Sequence, residues 1–219
     1  MTKLIKHLKP FIWLIVAIFA LLFGQAMAEL SLPGYMANIV NVGIQQSGIE
    51  NAVPEAMRSS TYDMLSPLIS ASDKAEVAAN YLLLDKQTLS ESDYAIYVEE
   101  FPALANETIY KLNTSDKAVI NSLDAIFSQT IITAMAQQQG TSATPAGAMP
   151  ENLIKQAAAA FLAREYEAIG LSLTGIQTRY ILGVGGIMLL FTLLSVGCAV
   201  TVGFLSARVA AGLARNLRK

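Results

Sequence analysis

The chain has one cysteine, one histidine and one tryptophan in 219 residues. A single thiol, Cys198, cannot form a disulfide within the chain, so no part of it is stapled. It lies in an apolar run and reads as a small hydrophobe. His7, between Lys6 and Lys9, has no neighbour in sequence for a nucleophilic triad or a zinc site. It reads as a solvated or headgroup-facing side chain. Charged residues are only 15% of the chain, and none falls between Pro10 and Ala28 or between Tyr180 and Ala207. No Walker A pattern, G-x-x-x-x-G-K-[ST], occurs, which excludes a nucleotide site of that kind here. Nor does any Asn-Gly or Asp-Gly pair that would mark a tight β-hairpin.

What is present is apolar: 53% of the residues, too many for an ordinary soluble domain. The net charge of -2 hides a segregation. Lys3, Lys6, Lys9, Arg208, Arg215, Arg218 and Lys219 put +7 at the two ends. All 17 acidic residues lie between Glu29 and Glu167, and with the eight basic ones from Arg58 to Arg179 they leave the stretch from Glu29 to Arg179 at −9. Basic ends around an acidic middle fit two spans with both termini in the cytoplasm, in a multi-pass protein of the plasma membrane. The basic residues are not gathered as a nucleic-acid binder would gather them, so no nucleic-acid partner is expected.

The two charge-free runs are long enough to cross a hydrocarbon core of about 30 Å as helices, the only unclosed form whose backbone is satisfied in lipid. The second, at 28 residues, leaves room for tilt. Trp13 and Tyr180 stand near the span ends, where interfacial aromatics sit. Lys3 to Lys9, the apolar core and Ala26-Met27-Ala28 also have the layout of a cleaved signal peptide. Against cleavage, Leu30, Leu32, Tyr35, Met36, Ile39 and Val40 keep helical spacing beyond Ala28. One helix from about Leu8 to about Val42 is expected, bent at Pro33 and ended near Gly43.

Residues 45–170 contain no apolar run that looks long enough to span, and form an extracytoplasmic domain expected to be all-α. Ser72-Asp73 can cap a helix with Val77, Ala78, Tyr81 and Leu82 on one face. Ser90 to Phe101 forms a short acidic helix stopped by Pro102. Thr114-Ser115-Asp116 opens a longer one, with Val119, Ile120, Leu123, Ile126, Phe127, Thr130, Ile131 and Ala134 at three-and-four spacing. Residues 140–150 read as a linker. Pro150-Glu151 starts a further helix that Gly170 ends. The fold class is therefore an all-α membrane protein: residues 1–44 the cytoplasmic tail and first span, 45–170 an inserted helical domain, 171–219 the second span and its cytoplasmic extension.

No catalytic, cofactor-binding or metal site is legible. Glu99-Glu100 and the pair Glu165/Glu167 read as surface charge. Gly183-Val184-Gly185-Gly186 lacks the Lys and Ser/Thr of a phosphate loop; with Ser195, Gly197, Thr201 and Gly203 it suggests close helix packing. Asn106-Glu107-Thr108 and Asn113-Thr114-Ser115 are formal glycosylation sequons, relevant only in a eukaryotic secretory pathway.

Two pieces resemble a known family. Leu8-Lys9-Pro10, Pro33 and Ile39-Val40-Asn41-Val42-Gly43-Ile44 look like the first transmembrane helix of type I ABC exporters. Ser206-Ala207-Arg208-Val209-Ala210-Ala211-Gly212 with Leu213-Ala214-Arg215-Asn216-Leu217-Arg218 resembles the second helix as it leaves the membrane. The insertion between them is similar to that of one partner in heterodimeric bacterial multidrug exporters. The resemblance implies the N-terminal third of an exporter half, without the ATPase domain. The intact protein would bind ATP and Mg and expel lipophilic compounds. Its partners would be the bilayer, the remaining transmembrane helices, the nucleotide-binding domain and a second transporter half. Two spans, an outer domain and a basic exit also describe a membrane sensor with an extracytoplasmic ligand-binding domain, although no Pro-containing relay follows the second span.

Overall fold

The computed structural model describes residues 11–138 and 149–217. The chain divides into a hairpin unit, Met1–Ile39 with Leu182–Lys219, and a mixed unit, Val40–Ile181. His7 and residues 140–148 of the expected linker 140–150 lie outside the described residues.

In the hairpin unit, α1 covers Ile12–Asn38 and continues as a π-helical segment, Ile39–Gln45, that enters the mixed unit. Pro33 lies inside α1 without ending it, and Ala26-Met27-Ala28 is mid-helix. The return helix α7 covers Leu173–Leu217, its first nine residues belonging to the mixed unit. Contacts within the hairpin run antiparallel: the Phe11 ring lies against Gly212, Glu29 meets Ser195, and Tyr35 stacks on Phe191 with centroids 5.5 Å apart. This pairing buries little. Among the described hairpin residues only Ala28, Ser195 and Cys198 are buried, while Trp13, Phe19, Phe23, Leu182 and Phe204 face outward. An added Cβ at Gly183, Gly185, Gly186, Gly197 or Gly203 would meet nothing within 4 Å. The expected close packing through these glycines is therefore not made between α1 and α7.

In the mixed unit the first helix ends at Gln45, close to the Gly43 near which an end was expected. Gly43 answers a different need: a Cβ there would lie 2.9 Å from Ile181 Cγ1. The stop comes from Ser47 (φ 54°) and Gly48 (φ 83°), in the left-handed region. The Gly48 N–H donates to the Val42 carbonyl at 2.8 Å, and a side chain at Gly48 would collide with the Ile176–Gln177 backbone.

The chain then forms β1 (Ala56–Arg58), α2 (Ser59–Leu65), α3 (Ala71–Asn80), β2 (Tyr81–Leu84), α4 (Glu91–Glu100), β3 (Ile109–Leu112), α5 (Lys117–Gln138) and α6 (Glu151–Ile169). Short 3-10 turns follow α2 and α4. The expectation of an all-α insertion is thus corrected: a three-stranded antiparallel sheet, order β1-β3-β2, is present. Ile109 pairs with both Arg58 and Leu84, so β3 is central. Tyr81 and Leu82, expected on a helix face, belong to β2. α3 ends at Asn80, whose side-chain amide donates to the Glu76 carbonyl. Its cap is Ser70 and not Ser72-Asp73: the Ser70 hydroxyl accepts the Asp73 N–H. Ser90 caps α4, the short acidic helix expected here, in the same way.

α5 and α6 pack against each other and against the sheet. Leu123, Phe127 and Ile131 of α5 meet Leu162 and Ile169 of α6, Met57, Leu84 and Ile109 of the strands, and Leu65 in one buried cluster. The α5 face expected from spacing is the one that turns inward. One expectation fails here. Lys117–Gln138, with a mean hydropathy of 1.3, is long and apolar enough to cross a membrane, as are Ile12–Gln45 and Leu173–Arg215. Among the described residues three helices meet that standard, not two.

Candidate functional site

The hairpin carries one polar cluster. Gln25 and Glu29 are four residues apart on α1 and so share a face. The Gln25 amide donates to Glu29 Oε1 at 2.9 Å, and the Ser195 hydroxyl donates across from α7 to the same oxygen at 2.8 Å. Among the described residues no hydrogen bond reaches Oε2. Ser195 is the sixteenth residue of the 28-residue charge-free run, so the carboxylate sits opposite the middle of that run. Arg208 and Arg215 are the only cations among the described residues of this unit. Arg208 is 13 positions past Ser195, about 20 Å along the helix. Glu29 is thus exposed, with neutral donors on one oxygen and, among the described residues, no ion pair.

Sequence reasoning placed Glu29 within the first helix but used it only as one of the acids of the charge map, and so missed this group. The signal was available: if one helix continues past Pro33, Glu29 must lie inside it. Cys198 stands where expected, as a buried small residue of the same helix.

The mixed unit offers two further features. Glu165 is not the surface charge its sequence context suggested; it is only 4% exposed. Arg58 donates to it three times, from its backbone N–H (2.8 Å), Nε (3.1 Å) and Nη2 (2.9 Å). The Thr61 hydroxyl donates at 2.7 Å. Burial pushes the Glu165 carboxyl up, but the Arg58 and Thr61 bonds outweigh it and hold the group below the ordinary value. These bonds fasten the β1–α2 corner to α6, a structural task. Glu167 is exposed, and so are Glu99 and Glu100, the latter receiving the Lys111 ammonium at 3.0 Å.

The second feature is a cleft of about 270 Å³ with Ile49, Val53, Leu112, Ile120 and Ile176 as its apolar wall. Glu50, Asn51, Glu55, Tyr166 and Arg179 supply its polar groups. The Tyr166 hydroxyl accepts the Glu55 N–H at 2.9 Å, and burial pushes its pKa well up, so it stays a neutral phenol. A mixed lining of this kind suits a small amphipathic ligand. Among the described residues no three His, Cys, Asp or Glu side chains gather as metal ligands would. Comparisons with protein-family models, with curated proteins and with solved structures find no match to this chain.

Proposed function

We propose that this chain is the N-terminal membrane portion of an ATP-driven exporter half that moves lipophilic compounds. In this reading α1 and α7 are the first two spans, both termini are cytoplasmic, and the mixed unit is an extracytoplasmic insertion. ATP and Mg belong to a nucleotide-binding domain elsewhere in the intact protein, and a second half completes the pathway. The observation that carries the reading is the hairpin's surface: among its described residues only Ala28, Ser195 and Cys198 are buried, while Trp13, Phe19, Phe23, Leu182 and Phe204 are exposed. Such a hairpin needs lipid and further helices around it. The resemblance of residues 8–44 and 176–219 to the first two exporter helices supplies the kind of helices expected. α5 is read as a core helix because Leu123, Phe127 and Ile131 are fully buried among the mixed unit's own residues.

A cysteine replacing exposed Ser92 in a Cys198→Ala background tests the topology. A membrane-impermeant maleimide should label it in intact cells; labelling only after permeabilisation would overturn the arrangement. For the activity, the intact gene expressed in an efflux-deficient host should lower accumulation of a lipophilic dye in an ATP-dependent way. The cleft in the mixed unit favours a second reading, a membrane sensor whose outer unit binds a small ligand. Ligand-dependent signalling without dye export would support it instead.

A further inference from the structure

We propose that Glu29 is the recognition group for a lipophilic cation bound at the α1/α7 hairpin. The inference rests on the reading of α1 and α7 as membrane spans, and it names the charge class of the exporter's cargo.

The carboxylate is held at one oxygen and open at the other. Gln25 and Ser195 both donate to Oε1, which fixes the side chain's position and leaves Oε2 open. Neither helix packed against it brings a basic side chain: Arg208 and Arg215, the described cations of the unit, are at least 13 positions away along α7. A charge in hydrocarbon is costly unless it is paired, and intramembrane carboxylates accordingly mark ion or substrate sites. The surround selects the partner. Glu29 is exposed, and the positions that helical spacing puts on its face and on that of Ser195 are apolar: Leu22, Leu32 and Met36 on α1, and Met188, Phe191 and Val202 on α7. A small hydrated cation would gain little from such walls. An organic cation with apolar substituents gains the ion pair at Oε2 and apolar contact together. The two neutral donors keep the carboxylate aimed without competing for its charge.

The test uses the chain in phosphatidylcholine nanodiscs and tetraphenylphosphonium as the probe, followed by calorimetry. Glu29→Gln should weaken binding about tenfold or more, equivalent to about 1.4 kcal/mol, and Glu29→Asp should recover most of it. Tetraphenylborate, an anion of the same shape, should be insensitive to the substitution. Equal affinity of wild type and E29Q for tetraphenylphosphonium would overturn the proposal. Should E29Q fail to fold, the wild-type chain still decides. Tetraphenylphosphonium should protect Glu29 from modification by dicyclohexylcarbodiimide, read by mass spectrometry, and modification at an unchanged rate would overturn it. Cation binding through Glu29 without dye export by the intact protein would sink the exporter reading and leave this site standing. Export with no role for Glu29 in binding would do the reverse.

Discussion

At the scale of single residues, the buried carboxylate at position 165 matters most for stability. Glu165 accepts four hydrogen bonds from Arg58 and Thr61. Arg58→Ala would leave it buried with two neutral donors, the backbone N–H of position 58 and the Thr61 hydroxyl, and without its cation, a loss of about 3–5 kcal/mol. Denaturant unfolding of the mixed unit measures this. The same group sets an acid limit. Its folded pKa lies below the ordinary 4.5, so its contribution is complete above that value and is lost as pH falls through the folded pKa. The midpoint of urea unfolding should therefore drop below about pH 4.5 in the wild type, and drop less in a folded Glu165→Gln variant. Neither carboxylate of consequence, Glu29 nor Glu165, was legible from composition. A charge in a helix is solvated or sequestered according to what lies opposite, and Ser195 and Arg58 stand 166 and 107 positions away.

At the scale of elements, sequence spacing served the long helices and failed the strands. α5 was legible because its buried face repeats at three and four over many turns. The strands have three or four residues each, too few for alternation to register. No turn signature announces them either: β2 reaches β3 only after α4, and β1 reaches β3 after some fifty residues. The C-terminal end of α6 was legible in detail. Gly170 has φ 95°, and its N–H and that of Leu171 donate to the Tyr166 carbonyl. A Cβ there would lie 2.8 Å from Pro102, in the turn after α4. Gly170→Ala should cost at least the left-handed penalty of about 1–2 kcal/mol, seen as a lower melting temperature of the mixed unit. If the variant melts like wild type, the Pro102 contact is not tight.

At the scale of the whole molecule, the two units differ in what each needs from its surroundings. The buried cluster lies entirely within residues 40–181. A fragment of those residues should stay soluble without detergent and unfold in urea in one cooperative transition. A need for detergent would show that α5 belongs in lipid. The hairpin has no such cluster and should aggregate when detergent is withdrawn. Apolar length alone cannot make this distinction, since α5 and the hairpin helices all pass it; burial of α5 against α6 and the sheet does.

In the proposed membrane arrangement, the Glu29–Ser195 hydrogen bond has a consequence for biogenesis. The ribosome delivers α1 long before α7, so for more than a hundred residues of synthesis Glu29 has no cross-helix donor. A carboxylate near a helix centre costs about 2.5–3.5 kcal/mol at the translocon, so α1 should first lodge through the charge-free stretch 10–28 and hold Glu29 at the interface. It would settle deeper only when Ser195 arrives. Glycosylation mapping of nascent chains truncated before and after α7 should show α1 shifting toward the cytoplasmic side on completion of the hairpin, and Glu29→Leu should abolish the shift.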